Sequence, residues 1–475
     1  MEMFIGGRFV EFPGLERFPV INPATEEVVD TVPLAGEAQV DLAVQEAHRA
    51  FPGWWDTPAA RRGEILMAAV ERVRANAEEL ARTLTLEQGK PLREARLEIR
   101  RFLHTIEHYA GLAKNLRGGY VPNLDEGTYG LVLKRPLGVV AAIVPWNFPT
   151  TLLANKLGPA LVTGNTVVAK PAETTPLTTL RIAALFHEAG LPPGVFNVVT
   201  GLGPVAGEVL VRHPLVRKVA FTGSTPVGKR IMALAAEGVK RVTLELGGSD
   251  PMIVCDDADL DAAAKAAAVG RFFNCGQACL AVKRLYVFEN VYEAFMERFL
   301  PRVERLRLGP GLSEDSQMGP LHTERQRRLI EEQLRDGLES GGRLLLGGGR
   351  PEGLQKGYFF SPTVVLEPGL DSRLAREEVF GPVLPVWRVR SLEEAVELAN
   401  RSPYGLGSTI FTRSLERASY ALERLEAGYT WVNSVNRIYD ELPFGGMKES
   451  GYGKEHGLEA LEYYQETKAG VVRWR

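Results

Sequence analysis

The chain has 475 residues, more than one hydrophobic core normally serves, so two or three structural units are expected. An apolar content of 45%, a charged content of 24% and a net charge of -3 describe a packed globular protein and argue against a nucleic-acid partner, which needs a basic surface. Three cysteines (Cys255, Cys275, Cys279) make no disulfide framework and point to a reducing, cytoplasmic setting; no signal peptide is evident, and the longest apolar run, 139–146, is too short to span a membrane.

In chain order, 37–50, 58–85 and 92–113 carry apolar residues at three- and four-residue spacing, as in Ile65, Ala69, Val73 and Leu80, and predict amphipathic helices. Two β-prone stretches around Asp125-Glu-Gly127 predict a hairpin. From 137 the pattern alternates. Strands fit 138–144, 166–170, 195–199, 216–222 and 240–245, with helices near 150–162, 176–189, 203–212 and 225–236. Such alternation gives an α/β fold, a parallel Rossmann-like sheet covered on both faces. Ligands bind beyond the carboxyl ends of strands in sheets of this kind. After Gly247-Gly248 a second α/β series begins with Met252–Cys255 and helix 259–272, and continues with units at 325–340, 392–401 and 414–427. The β-prone tail is expected to pair with another element, the 120s hairpin of a neighbouring subunit being one choice, and an open hairpin edge favours oligomers.

Two motifs invite other readings. Gly223-Ser-Thr-Pro-Val-Gly-Lys-Arg230 approaches a triphosphate loop, the basis of a Mg²⁺-dependent triphosphatase alternative. Arg230 stands where a Ser or Thr hydroxyl would bind the metal, and Pro226 removes a backbone donor, so a pyrophosphate turn at a helix start is the milder reading. His104-Thr-Ile-Glu-His108 matches a zinc pattern, but no third ligand is apparent and packed or solvated histidines are preferred; no metal site is assigned.

The candidate chemistry lies at strand ends and turns. Cys279 closes Asn274-Cys-Gly-Gln-Ala-Cys279 after a glycine turn; a lone cysteine is otherwise core filler. Pro145-Trp-Asn-Phe-Pro149 holds Asn147 between prolines, where its amide suits a developing oxyanion, a structural turn being the alternative. Glu245 ends a strand beside two glycines and is a candidate general base or a solvated surface carboxylate. Lys170 and Glu173 suit ribose hydroxyls, as does Glu378 beside Phe380, and either pair equally fits a salt-bridged turn.

Taken together, seven ordered segments resemble the aldehyde dehydrogenase superfamily over nearly the whole chain: Pro-Trp-Asn-Phe-Pro, Lys-Pro-Ala-Glu, Phe221-Thr-Gly-Ser, Glu-Leu-Gly-Gly, Gly-Gln-Ala-Cys, Glu-Val-Phe-Gly-Pro and Pro443-Phe-Gly-Gly-Met-Lys-Glu-Ser-Gly451. The resemblance implies that Cys279 attacks an aldehyde, that Asn147 and the Cys279 N–H stabilise the oxyanion, that hydride passes to a nicotinamide, and that Glu245 activates the water releasing the acid. It places Trp146, Lys170, Glu173, Phe221, Gly223, Ser224, Leu246, Glu378 and Phe380 at the cofactor. Glu173 favours NAD over NADP, since a carboxylate bonds a free 2′-hydroxyl and repels a phosphate. The implied substrate pocket is Leu152, Asn155, Phe273, Ala278, Leu280, Ile438 and Phe444, mostly apolar, which suits an uncharged aliphatic or aromatic aldehyde. Succinate-semialdehyde branches place arginines where Asn155 and Phe273 stand here, yet Arg437 keeps a semialdehyde open. The implied domains are 1–113 and 137–247 for NAD, 248–447 for catalysis, and 114–136 with 448–475 for assembly into a homodimer or homotetramer.

Overall fold

In the computed structural model, which describes residues 1–474, the alternating segment from 137 forms the centre of an eight-stranded sheet. Its strands run in the order Arg8–Val10, Met3–Ile5, Phe196–Val198, Thr166–Lys170, Val139–Ile143, Val216–Thr222, Arg241–Glu245, Gly451–Tyr452. The five central strands are parallel, and the outer ones join antiparallel. Val139, Val140, Val167 and Val168 are all buried, as strands covered on both faces require. Helices Pro149–Val162 and Leu177–Glu188 lie among those cross-connections, close to their expected bounds.

A seven-stranded sheet follows, ordered Arg343–Leu346, Thr363–Leu366, Val383–Val389, Val282–Phe288, Asp250–Val254, Gly407–Phe411, Tyr429–Val432, and only its first pair is antiparallel. Each sheet has its own apolar clusters, one around Leu157, Val167 and Phe186, another around Leu285, Phe295 and Val386. No helix of the described residues is long and apolar enough to cross a membrane.

Two expectations are corrected. The helix expected over 58–85 is two, Ala59–Ala75 and Ala77–Gln88. Asn76 leaves helical geometry at φ -109°, ψ 11°, and its amide bonds back to the Arg72 carbonyl at 2.8 Å. The tail strand Gln465–Arg473 pairs with its own chain, antiparallel to Thr128–Pro136, which also pairs with Gly119–Asp125. Nine residue pairs, from Gln465–Pro136 to Arg473–Thr128, fill one edge of the hairpin, so that edge needs no neighbouring subunit.

Candidate active site

Register brings the site together. In the first sheet Ile143 lies opposite Lys170 and Phe221, and Thr222 opposite Glu245, so the Trp146, Lys170 and Glu245 segments leave one carboxyl edge. Cys279, Glu378 and Phe380 all lie just before strands of the second sheet, Val282–Phe288 and Val383–Val389. The carboxyl edge of one sheet therefore meets the amino edge of the other, and contacts cross between them. The Gly248 N–H donates to Glu378 Oε1 at 3.0 Å, and Asn147 Nδ2 donates to the Gln277 carbonyl at 3.1 Å.

The cysteine loop is tightly shaped. Asn274 and Cys275 both take left-handed backbone angles, φ 50° and 56°, which cost energy and persist only where surroundings impose them. Here the Glu94 carboxylate accepts the Asn274 N–H at 3.0 Å, and Asn274 Nδ2 reaches the carbonyls of Asn147 and Gln277. Gly276, at φ +72°, passes so close to the Gly381 carbonyl that any β-carbon would collide with it. Downstream, Lys283 donates to the Ala278 carbonyl at 2.9 Å and the Cys279 carbonyl at 2.5 Å, with Glu378 at 3.3 Å. Cys279 is half-buried, whereas Cys255 and Cys275 are buried. Burial pushes the Cys279 thiol up to about 12 against the pull of the Lys283 ammonium.

Glu245 is 3% exposed, and neither carboxylate oxygen has a hydrogen-bond partner among the described residues. Burial and then repulsion from Glu455 hold its carboxyl well above the ordinary range, with Lys156 and Lys454 opposing. The surface alternative for Glu245 is thereby removed. Its neighbour Glu455 is fully engaged, by Lys156 Nζ at 2.6 Å and Asn155 Nδ2 at 2.9 Å.

The proposed pocket residues separate into groups. Leu280, Ile438 and Phe444 cluster with Cys279, joined by Leu406, Tyr429 and Trp431, which the motifs did not indicate. Ala278 is buried beside them in sequence. Leu152 belongs to the core of the first sheet, Asn155 is committed to Glu455, and Phe273 stacks on Phe148 with centroids 6.0 Å apart.

The cofactor candidates lie at strand ends and turns in small contact groups. Trp146 stacks on His322 at 4.6 Å and meets Phe380 edge-on at 5.6 Å. His322 bonds the Gln88 carbonyl and Thr174 Oγ1, and burial pulls it down to about 4, a neutral imidazole. Lys170 is buried, donates to the Pro171 carbonyl at 2.9 Å and lies 3.9 Å from the half-exposed Glu173. Burial lowers Lys170 to about 8 while Glu173 opposes the fall. A β-carbon on Gly223 would strike the Phe221 ring, and one on Gly228 would strike Leu246. Ser224 begins helix Thr225–Ala236 without spending its side chain on a cap, so the first N–H groups stay available to an anion. A bare backbone turn, a helix start and a buried ammonium are donors that suit a dinucleotide.

The competing motifs resolve otherwise. Lys229 pairs with Glu449 at 2.8 Å and Arg230 with Glu208, which commits both cations of the 223–230 turn to surface carboxylates. His104 pairs with buried Asp440, together with Arg101 and His456, and His108 packs edge-on to Tyr109. No cluster of metal-ligating side chains occurs among the described residues.

Comparison with known proteins agrees across the chain. The aldehyde dehydrogenase family profile matches residues 9–469. A 3-sulfolactaldehyde dehydrogenase of Pseudomonas putida is 43% identical over 98% of this chain and 96% of its own. The NADP(+) succinate-semialdehyde dehydrogenase GabD of Escherichia coli K12 is 39% identical over 98% and 96% respectively. A crystal structure of betaine aldehyde dehydrogenase from Staphylococcus aureus in complex with NAD+ superposes with a TM-score of 0.97 at 36% identity, covering 99% of this chain and 94% of that one.

Proposed function

The chain belongs to the aldehyde dehydrogenase family, and from that premise we propose that it oxidises an aldehyde to its carboxylic acid with NAD, through a thioester on Cys279. The observation that carries this reading is the meeting of three groups between the sheets. A half-buried thiol, an amide bonded to the thiol's own loop, and a buried carboxylate that has no hydrogen-bond partner and adds to burial in raising the thiol's proton affinity support it.

The Cys279 thiol passes its proton to the Glu245 carboxylate, which releases it to solvent, and the sulfur bonds the aldehyde carbon, moving an electron pair onto oxygen. Asn147 has one amide hydrogen on Gln277; its second amide hydrogen and the Cys279 N–H receive that oxyanion. Trp146, Lys170, Glu173, Phe221, Gly223, Ser224, Leu246, Glu378 and Phe380 would hold the dinucleotide, which when bound would supply the two-electron acceptor for the carbon's hydride. Glu245 takes a proton from water, whose oxygen bonds the acyl carbon as the carbon–sulfur bond breaks. The acid leaves, and the thiolate is restored. The raised proton affinity of Glu245 suits it to take that proton from water.

The cluster of Leu280, Leu406, Trp431, Ile438 and Phe444 beside the sulfur favours an uncharged aliphatic or aromatic aldehyde, because an unpaired carboxylate there loses its hydration. A semialdehyde is the second reading, supported by Arg437, which stacks on Tyr439 and has no ion-pair partner among the described residues. The carboxylate of Glu173 favours NAD over NADP, offset in part by Lys170. The first sheet with 1–113 and 137–247 serves as the NAD domain, 248–447 as the catalytic one. Exposed Tyr120, Val121, Leu124, Val471 and Trp474 on the three-stranded sheet favour assembly of a cytoplasmic homodimer or homotetramer.

Absorbance at the NADH band across a panel of neutral aldehydes and semialdehydes, with NAD and NADP in parallel, tests the reading. Cys279→Ala is expected to lower turnover by at least ~10⁴-fold while NAD binding persists. Full turnover by that variant would remove the mechanism.

A further inference from the structure

Asn147 can act only if its amide is held where the oxyanion forms, and its backbone has an unusual anchor. Lys90 is 1% exposed, and its Nζ donates to the Asn147 carbonyl at 2.7 Å. The same ammonium pairs with Glu98 Oε2 at 2.5 Å and lies 4.0 Å over the Phe148 ring. Glu98 in turn does the work of a missing cap. Helix Pro149–Val162, which starts two residues after Asn147, has no side-chain cap of its own. Glu98 Oε1 accepts the Thr150 N–H at 2.9 Å, the Thr150 hydroxyl at 2.8 Å and the Thr151 N–H at 3.3 Å.

The turn carrying Lys90 is itself fixed. Gln88 Oε1 accepts the Lys90 N–H at 2.9 Å, and the Leu92 N–H donates to the Gly311 carbonyl at 2.8 Å. Gly89 takes φ +100° against Pro23 and Pro320. Contacts from both halves of the molecule thus set where the ammonium sits. A buried ion pair costs several kcal/mol of desolvation and contributes little to stability compared with an apolar pair of the same volume. An apolar pair could fill this space, but it could not hold a carbonyl.

We infer that Lys90, held by Glu98, is a positioning residue for the reaction: it fixes the peptide of Asn147 so that the side-chain amide meets the oxyanion. The inference rests on the reading of Asn147 as the oxyanion donor. Lys90 touches neither substrate nor sulfur in this scheme and acts through Asn147. Displacing a donor by a few tenths of an ångström weakens transition-state stabilisation more than substrate binding.

A double-mutant cycle tests it, using wild type, Asn147→Ala, Lys90→Met and the pair, each checked for folding by thermal melt. Lys90→Met is expected to lower kcat about 10- to 100-fold, with the aldehyde KM and NAD binding changed less than about threefold. In the Asn147→Ala background the same substitution is expected to change kcat less than about threefold, since the group it positions is gone. Equal losses in both backgrounds would overturn the inference and leave Lys90 a scaffold residue. No loss on Asn147→Ala alone would instead overturn the oxyanion reading beneath it. If Lys90→Met does not fold, Glu98→Gln enters the same cycle. It keeps an acceptor for Thr150 and removes the counter-charge and the acceptor facing Lys90, and the same non-additivity is expected.

Discussion

Glu98 and Glu245 are each 3% exposed, yet their surroundings are opposite. Glu98 is saturated: two backbone N–H groups and a hydroxyl on one oxygen, an ammonium on the other. Glu245 has no hydrogen-bond donor on either oxygen among the described residues, and a second carboxylate, Glu455, stands near enough to raise its proton affinity. A buried carboxylate with every lone pair engaged is spent on holding the chain in place. One left without partners is destabilising on its own, and a folded protein keeps such a group when it has a proton to move. In the proposed mechanism one glutamate fixes the donor through Lys90 and the other serves the water.

The sharpest way to break this contrast is to remove each charge in turn. Glu245→Gln is expected to lower steady-state turnover about 10²- to 10⁴-fold, with melting temperature unchanged or raised because an unpaired buried acid has been removed. In the wild type the deacylating base must be ionised, so turnover falls as pH drops, and this acid limb should lie above the ordinary glutamate value of 4.5. Glu98→Ala should do the reverse in stability. It strands the Lys90 ammonium and the start of helix Pro149–Val162, a loss of about 3–5 kcal/mol by denaturant titration. A stable Glu98→Ala protein would show that the pair supports nothing. The smallest effect concerns the sulfur. With the thiol pushed up to about 12, alkylation of cofactor-free Cys279 by iodoacetamide should accelerate about tenfold per pH unit through neutrality.

The glutamate proposed as the base carries a signal in the sequence and the structural one carries none. Glu245 stands in an ordered set of motifs with Asn147 and Cys279, and each motif ends a strand or shapes a turn, so order and register both pointed to one cleft. Glu98 and Glu94 sit on a helix whose apolar stripe runs through Ala95, Ile99, Phe102 and Ile106. Two acidic residues four apart beside that stripe resemble a solvated flank, and only tertiary contact shows that both are buried. Lys90, after a glycine in a polar turn, carries no signal of burial at all. Asn155 shows another limit: its motif position suggested substrate, and the bond of its Nδ2 to Glu455, which leaves its Oδ1 without a partner among the described residues, carries no signal in the sequence. The five parallel strands of the first sheet were read within a residue or two because buried strands leave short, mostly apolar runs, whereas its outer strands Met3–Ile5, Arg8–Val10 and Gly451–Tyr452 were not read, being only two or three residues long. The break at Asn76 was missed because the apolar spacing continues across it.

The most direct test follows the first turnover of Glu245→Gln with an accepted aldehyde, combining stopped-flow NADH absorbance with mass spectrometry of acid-quenched protein. A burst near one NADH per subunit, with the acyl mass on the peptide bearing Cys279, is the predicted result. A burst with no adduct, or an adduct on any other residue, would contradict the account.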